Sequence, residues 1–393
     1  MMMALEGIKV IDVARYPMTI YCSMILGDLG ADVIWVQEPP GVSGSSTRQT
    51  PEEEDKAAAF NALGRNKRSI VLNLKLPEAR EVFYRMAGRA DVVLEGYRPG
   101  VAKRLGVDYE TIQRINPRIV YCSVSGYGQS GPYRDLPGHD GNYISTAGVL
   151  GIIGDKDGRP VMPSNLLADF ASGGLVSAIG VLAALQARER TGLGQHIDLS
   201  MADGVAFLLA SAFSQHFNQG VTPERGRGTT NGETPYYGLY ETGDGQYITI
   251  AAMEPKFFQN LCHLLDRPDF ISRQQDREAW PEMRALLERT FKSKSRDEWF
   301  DILSKAEVPV GKVNSLSEAA EDPQLRHREM FIEMEDRRWG KVKQVGVPFK
   351  LSRTPGAVRR LGPRRGEHTL EILGELGYQP KEIQDLRVRG AIP

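Results

Sequence analysis

Two separate segments of the chain carry side chains that exchange protons readily. His139 and Asp140 stand between Gly138 and Gly141, and Asp169 stands further along, at the mouth of an apolar, glycine-rich run. Imidazole titrates near neutrality, and a carboxyl group is a common partner in general acid–base chemistry. Proton-active groups that arrive from different segments suit a reaction that moves a proton.

Asp169 and a second isolated carboxylate, Glu254, also have an ordinary structural interpretation. Asp169 precedes the predicted helix Phe170–Arg190, so it is a candidate N-cap. Glu254 follows a predicted hairpin and precedes another helix, where a carboxylate favours the helix dipole. The sequence alone leaves a structural and a chemical role open for each.

Basic residues gather at two points where a ligand phosphate could bind. Arg65, Lys67 and Arg68 precede the predicted strand Ile70–Leu74 and form either a solvated turn or an anchor for a phosphate or adenine group. A second group follows the predicted strand Val92–Glu95. Its members are Tyr97, Arg98 and Arg104. The carboxyl ends of strands are where open α/β sheets bind ligands, although a plain polar loop is the alternative.

Composition limits the classes of partner. The 393 residues include 49 Lys plus Arg and 50 Asp plus Glu, for a net charge of −1, so there is no general attraction to nucleic acid or to anionic membranes. Three scattered cysteines predict a reducing, cytoplasmic environment without disulfides. The longest apolar run noted, Leu175–Leu185, falls short of the ~20 residues of a membrane span, which predicts no membrane association.

The strand and helix patterns predict an α/β fold with a parallel sheet. Ile8–Val13, Tyr21–Leu29 and Asp32–Val36 form a β-α-β unit, and no glycine-rich dinucleotide motif follows the first strand. Pro39–Lys56 is predicted to be a surface loop and Met201–Phe217 one long helix. The predicted organisation is then a large domain over 1–217, a linker over 218–235, a small domain over 236–330 that opens with a β-hairpin, and a C-terminal segment over 331–393.

Several motifs in order resemble the family III CoA-transferase superfamily of CaiB/BaiF type, with the α-methylacyl-CoA racemases as the closest likeness. They are LEGIKVIDVARYP, GRNKRSIVLNLK, YCSVSGYGQSGPY, GHDGNYISTAG, NLLADFASGG and TPYYGLYETGDGQYITIAAMEPKFF. The resemblance covers nearly the whole chain. It implies a Rossmann-like large domain, a smaller α+β domain, a C-terminal segment that returns to the large domain, and two chains interlocked as a homodimer.

The resemblance also implies roles for individual residues. His139 and Asp169 resemble the acid/base pair of the racemases, and Asp140 and Glu254 resemble their supporting carboxylates. The remaining residues match positions that contact CoA: Leu72, Asn73, Leu74, Lys75, Tyr97, Arg98, Arg104, Leu136, Pro137, Gly138, Asn142 and Tyr143. Neither a metal nor a separate cofactor is implied, because CoA is part of the substrate. Glu38 departs from the pattern, since many relatives carry arginine there.

Three functions fit these residues. A racemase would remove the α-proton of an acyl-CoA with one of His139 and Asp169 and return a proton with the other, while backbone N–H groups after Asp169 hold the enolate oxygen. A CoA transferase would use Asp169 as a nucleophile on the thioester and would not need His139. A non-catalytic CoA-binding subunit would need neither. The presence of His139 favours the racemase.

Overall fold

A computed structural model describes residues 2–13, 15–39, 50–221 and 223–393. Part of the predicted loop Pro39–Lys56 lies outside the described residues. Its C-terminal portion is not a loop, because a helix begins at Pro51. Thr50 caps that helix by accepting the backbone N–H of Glu53, and the Glu53 carboxylate accepts the N–H of Thr50 in return.

Eleven strands are present in the described residues: β1 Lys9–Val13, β2 Asp32–Gln37, β3 Lys67–Val71, β4 Val92–Glu95, β5 Val120–Ser125, β6 Gln195–Ser200, β7 Tyr237–Glu241, β8 Tyr247–Ala251, β9 Val310–Lys312, β10 Phe331–Asp336 and β11 Gly340–Val345. The first six form one sheet in the order β3-β2-β1-β4-β5-β6, and every pairing in it is parallel. The predicted parallel sheet is confirmed, and its strand order is that of a Rossmann-like fold.

The α-helices are α1 Pro17–Asp28, α2 Pro51–Phe60, α3 Pro77–Ala87, α4 Val101–Leu105, α5 Tyr109–Ile115, α6 Asp140–Thr146, α7 Val149–Ile152, α8 Ser177–Thr191, α9 Met201–Leu208, α10 Ala210–Gln219, α11 Pro255–Leu264, α12 Trp280–Phe291, α13 Arg296–Lys305, α14 Leu316–Glu321, α15 Pro323–His327, α16 Thr369–Glu375 and α17 Pro380–Val388. Short 3-10 helices span Ala62–Gly64 and Pro268–Arg273, and a π-helix spans Leu166–Val176.

The chain forms two compact units. The larger contains residues 1–147, 163–208 and 323–393, and the smaller contains 148–162 and 209–322. The predicted linker 218–235 thus belongs to the smaller unit, as does 148–162, which the prediction placed in the large domain. The predicted helix Met201–Phe217 is wrong as a single element, because it is two helices, α9 in the larger unit and α10 in the smaller.

Each unit has its own apolar core. In the larger unit, buried side chains of the sheet pack with α3 and with the C-terminal residues, among them Phe83, Tyr121 and Ile392. In the smaller unit, the antiparallel sheet β7-β8-β9 packs against α11, α12 and α13 around Phe291 and Trp299. The predicted hairpin of β7 and β8 is confirmed by their antiparallel pairing.

The basic segment Arg65–Arg68, which runs into β3, is neither a solvated turn nor a ligand anchor. Arg65 forms an ion pair with Asp28, with nitrogen and oxygen 2.5 Å apart, and Lys67 Nζ lies 3.5 Å from Asp12. All four of these side chains are buried. The cations therefore serve to neutralise carboxylates that the fold has removed from water.

Arg68 completes the segment and binds three carboxylates on two elements. It pairs with Asp32 on β2 and with Glu371 and Glu375 on α16, at 2.7 to 2.8 Å. This arrangement ties the C-terminal part of the chain to the edge of the sheet. The strand predicted over Ile70–Leu74 lies three residues earlier in the chain, because β3 covers Lys67–Val71.

The helical segment Leu166–Thr191 differs from its prediction in two ways. It begins four residues before Phe170, as the π-helix, and Asp169 lies within its first turn rather than at its N-cap. It has 26 residues, and a stretch of 18 of them has a mean hydropathy of 1.8, so it is long and apolar enough to cross a membrane, although the core helices of soluble proteins also reach these values. The prediction that no apolar segment reaches that length was therefore wrong.

Candidate active site

His139 lies at the turn that begins α6. Its backbone N–H donates to the Asn142 side-chain oxygen at 3.0 Å, and its carbonyl accepts the Asn142 N–H at 2.9 Å. These two bonds fix the backbone of the turn, so the orientation of residue 139 does not depend on its ring. The imidazole itself is exposed. A fixed backbone with an exposed ring suits a group that must reach a bound molecule.

Tyr143 fastens the loop that leads to this turn. Its hydroxyl donates to the carbonyl of Gly138 at 2.5 Å, and the side chain is buried. The ring passes so close to Gly126, at the end of β5, that a Cβ added there would lie 2.2 Å from Tyr143 Cε1. Glycine at position 126 is therefore required for the ring to lie against the strand end.

Asp140 joins the two segments that carry the proton-active groups. Its buried carboxylate accepts the backbone N–H groups of Ala168 and Asp169, at 2.7 and 2.9 Å. Since Asp140 follows His139 directly, these bonds tie the histidine turn to the start of the π-helix. They also commit the Ala168 and Asp169 N–H groups to a carboxylate, so neither is available to an enolate oxygen.

The Asp169 carboxyl group is half-buried, and its surroundings favour the protonated form. Burial raises its pKa most, and the negative charge of Asp140 raises it further. The Asn165 amide, which donates at 3.1 Å, and the charge of His139 lower it. Because Asp140 follows His139 directly and accepts the Asp169 N–H at 2.9 Å, residues 139 and 169 are held near one another.

Arg98 belongs to the same site. The pKa of the Tyr143 hydroxyl is raised to about 12, mainly by burial, and the charge of Arg98 opposes that rise while Asp169 adds to it. Arg98, in the loop after β4, and Asp169 therefore both act on the Tyr143 hydroxyl. Tyr97 is half-buried, and burial together with the Glu38 carboxylate raises the pKa of its hydroxyl. Glu38 thus stands beside the predicted nucleotide contacts.

The other predicted CoA contacts differ in how exposed their side chains are. Leu72 and Leu74 are buried in the core, and the N–H groups of Leu72 and Asn73 already donate to the carbonyls of Gln37 and Ala391. Lys75 is exposed and Asn73 half-buried. The segment follows β3 rather than forming a strand, and its two polar side chains are the ones that could contact a ligand.

The remaining predicted residues divide between the two units. In the larger unit, Leu136 and Pro137 are exposed, and Arg104 lies on α4 with its Nη1 3.6 Å from the position of a Cβ at Gly100. Glu254 is in the smaller unit, where it precedes α11 and is exposed. The structure thus brings His139, Asp140 and Asp169 together in one unit, whereas the predicted role of Glu254 stays a prediction.

Sequence reasoning missed two polar residues near the site. Asn165 was not singled out, although it precedes Asp169 by four positions, the spacing at which side chains on a helix meet. Glu95 was seen only as the end of a strand, yet its carboxylate accepts the N–H of Tyr97 at 2.7 Å. Within the described ranges no group of three His, Cys, Asp or Glu side chains could hold a metal ion.

Comparison with known proteins agrees with the geometry of the site. Residues 5–369 match the model of CoA-transferase family III. The chain is 37% identical over 386 residues to human alpha-methylacyl-CoA racemase, covering 98% of this chain and 96% of that protein. It is 33% identical over 402 residues to the beta subunit of a succinyl-CoA–L-malate CoA-transferase from Chloroflexus aurantiacus, covering 99% and 98%.

A solved structure supports the same assignment. A CaiB/BaiF family protein from Brucella suis aligns with a TM-score of 0.83 and 32% identity, over 96% of this chain and 100% of that one. The parallel sheet, the helical segment that carries Asp169 and the motifs around His139 are therefore parts of one known architecture. The chain belongs to CoA-transferase family III.

Proposed function

We propose that the protein inverts the C2 centre of 2-methylacyl-CoA thioesters by proton transfer through an enolate. One observation carries this proposal: the exposed His139 and the half-buried Asp169 lie on two segments that the Asp140 carboxylate ties together through the N–H groups of Ala168 and Asp169. Similarity to the human racemase supports it, since that protein is similar over nearly the full length of the chain.

In this reaction His139 and Asp169 act on opposite faces of the α-carbon. One of the two groups takes the α-proton, and the electron pair moves into the thioester to give an enolate. The other group returns its own proton to the opposite face, and the configuration inverts. Asp169 suits this exchange because burial raises its pKa, so the carboxyl group can both hold a proton and release it.

A CoA transferase is the second candidate, and the similarity to the succinyl-CoA–L-malate CoA-transferase subunit favours it. Here the Asp169 carboxylate would attack the thioester carbonyl and expel CoA as a thiolate, leaving a mixed anhydride. The thiolate would then attack the Asp169 carbonyl and release the first acid. A second carboxylate would displace CoA from Asp169 to form a new anhydride, and attack of the thiolate on its acyl carbonyl would give the second CoA ester and regenerate the Asp169 carboxylate. This route needs Asp169 in ionised form and assigns nothing to His139.

A solvent-exchange experiment separates the two candidates. The protein is incubated in deuterated water with one enantiomer of a 2-methylacyl-CoA and no acceptor acid. Racemisation gives deuterium at C2 together with loss of optical purity. If no deuterium enters, but CoA passes to an added carboxylic acid, the transferase is correct and the racemase proposal is wrong.

Two histidine variants sharpen the test. His139→Ala removes one of the two proton-transfer groups, so deuterium incorporation should fall by about 10²- to 10⁴-fold. His263→Ala, in the last turn of α11 in the smaller unit, is the matched control and should leave incorporation unchanged. Undiminished incorporation in His139→Ala would exclude a histidine acid/base.

We also propose that two copies of the chain associate. Leu175 and Ile179 lie one helical turn apart and are 40% and 65% exposed, and Phe207 on α9 is 73% exposed. Apolar side chains this exposed mark a surface that another protein covers, and a second copy is the usual partner. Light scattering should give twice the chain mass, and Ile179→Glu should shift the protein toward monomer.

The cellular site and the absence of a separate cofactor stay predictions. Cys22, Cys122 and Cys262 are free and buried, which fits the reducing conditions of the cytoplasm. We propose that CoA enters only as part of the substrate. Full activity of protein prepared in the presence of a chelator, with purified acyl-CoA as the sole addition, would support this.

A further inference from the structure

Three polar side chains lie side by side on the neighbouring strands β4, β5 and β6. The loop that carries Tyr97 follows β4. Glu95 and Ser123 are directly opposite one another in the β4–β5 pairing. The Ser123 Oγ lies 3.0 Å from Nε2 of His196 on β6. Neither the acid/base scheme nor the predicted CoA contacts use any of these three residues, so their connection calls for a separate explanation.

Glu95 is a buried carboxylate whose partners within the described part of the chain are uncharged. It is 3% exposed, its Oε2 accepts the N–H of Tyr97 at 2.7 Å, and the hydroxyl of Ser123 donates to it. A buried carboxyl group costs free energy unless it has a cation or a structural use for its hydrogen bonds. The bond to Tyr97 is the one that reaches out of the strand into a loop.

Ser123 and His196 hold the other side of that carboxylate. When the Ser123 hydroxyl donates to Glu95, its oxygen is free to accept a hydrogen bond from the Nε2–H group of His196. The imidazole is in turn stacked on the ring of Tyr109, with centroids 5.0 Å apart and planes 13° from parallel. The chain of contacts therefore runs from α5 through β6 and β5 to Glu95, and ends on the backbone of the loop.

Three acidic residues act electrostatically on this chain of contacts. Asp198 on β6 acts on Glu95, Glu110 on α5 acts on His196, and Asp108 acts on the neighbouring Tyr121. Burial, with Asp198, raises the pKa of Glu95 to about 7. The carboxyl group is thus close to half protonated at neutrality, and in either form it retains an oxygen that accepts the Tyr97 N–H.

We propose that Glu95 is a positioning residue for coenzyme A: by binding the Tyr97 N–H it fixes the loop that presents Tyr97 and Arg98 to the nucleotide. This inference rests on the proposed function, because Tyr97 and Arg98 are CoA contacts only under that proposal. It differs from a purely structural role in one respect. Loss of the bond should weaken CoA binding more than it affects the proton-transfer step at His139 and Asp169.

The test compares two substitutions of Glu95 with free coenzyme A as the probe. Glu95→Ala removes the acceptor, so the dissociation constant measured by calorimetry should rise about tenfold or more. Glu95→Gln keeps an oxygen for Tyr97 and an N–H group for Ser123, so its dissociation constant should stay within about threefold of the wild-type value. In the deuterium assay, Glu95→Ala should raise KM by about tenfold and change kcat by less than about threefold.

Asp108→Ala is the matched control. Asp108 is also a buried carboxylate that accepts a local backbone N–H, that of Thr111 at 3.2 Å, at the start of α5. Its removal should lower the free energy of unfolding by about 0.5 to 2 kcal/mol, as for other lost N-caps, and leave CoA affinity unchanged. A drop in CoA affinity equal to that of Glu95→Ala would mean that general destabilisation, not positioning, is responsible.

The outcomes separate this inference from the proposed function. If the wild-type protein does not bind coenzyme A, the proposed function is wrong. If the wild type binds it and a folded Glu95→Ala binds it equally well, the positioning role alone is wrong. Should Glu95→Ala fail to fold, Ser123→Ala takes its place, with an expected rise in the dissociation constant of about threefold. Unchanged affinity in that variant would overturn the inference.

Discussion

The segment Arg65–Arg68 and the segment around His139 both looked like ligand sites in the sequence, and the structure treats them in opposite ways. In the first, Arg65 and Lys67 are buried, and each faces a buried carboxylate within the larger unit. In the second, the His139 ring is exposed and the Asp169 carboxyl group is half-buried. Clustered charge in a sequence therefore does not by itself indicate a binding site.

The difference lies in what neutralises each charge. Lys67 has its counter-ion in Asp12 and also donates to the carbonyl of Ile20 at 2.8 Å, so its ammonium group has no capacity for a ligand phosphate. The polar bonds that hold the His139 turn are made by its backbone and by Asp140, which leaves the ring and the Asp169 carboxyl group for chemistry. A side chain is available for chemistry when the neighbouring groups bind the backbone of its residue and leave the side chain unbound.

Breaking the buried region should have the largest effect. Lys67→Met leaves the Asp12 carboxylate, which is 0% exposed, without its cation. Loss of one partner of a buried ion pair costs about 3 to 5 kcal/mol of the free energy of unfolding, measured by urea denaturation. Deuterium incorporation per folded molecule should not change, because Lys67 has no part in proton transfer.

A double variant provides the control. Lys67→Met combined with Asp12→Asn removes both charges, and replacing a buried ion pair by uncharged groups is often close to neutral. The double variant should therefore recover most of the lost stability. Lower stability in the double variant than in Lys67→Met would show that Asp12 is held by something other than the ammonium group.

Glu95 is intermediate between the two regions, because it is buried and titratable but has no cation. Its pKa is raised from 4.5 to about 7, so the folded state binds a proton that the unfolded state has lost between those pH values. This contribution to stability is fully present below about pH 4.5 and is lost as pH rises through 7, and it amounts to about 3 kcal/mol.

Glu95→Gln tests that contribution. The amide cannot ionise, so relative to wild type the variant should gain about 3 kcal/mol in the free energy of unfolding between pH 4.5 and pH 8. Urea denaturation at several pH values measures the difference. A difference between the two proteins that does not vary with pH would mean that Glu95 is ionised in the fold without cost.

Features of the fold that arise from residues close together in the sequence could be predicted. Features that depend on contacts between distant residues could not. The hairpin around Asp244 and Gly245 and the helix Trp280–Phe291 were predicted from residue patterns, and the structure has both. The ion pairs of Arg65 and Lys67 join residues 37 and 55 positions apart, which no local pattern reveals. The break between α9 and α10 was likewise hidden, because only Leu209 separates the two helices and neither glycine nor proline marks the junction.

The candidate site divides in the same way. Residue types and motifs were enough to select His139 and Asp169. The place of Asp140 was not predictable, because its partners are the backbone N–H groups of residues 28 and 29 positions further on, and a backbone N–H group has no signature in the sequence. Its expected role as a supporting carboxylate of the acid/base pair stays a prediction, and the structure adds its two bonds to the segment that carries Asp169.

The smallest effect, and the one that most sharpens the site, belongs to Asp140→Asn. The amide oxygen can still accept the N–H groups of Ala168 and Asp169, so the two segments should stay joined. The pKa of Asp169 is raised first by burial and then by the charge of Asp140, so the substitution removes only the second cause. The limb of the pH–rate profile that reports Asp169 should move to lower pH, with the maximum rate changed little.

Asp140→Ala, which cannot accept those N–H groups, should lower the maximum rate as well. If Asp140→Asn and Asp140→Ala lose rate equally and neither moves the limb, the carboxylate does not act through its bonds to the Asp169 segment.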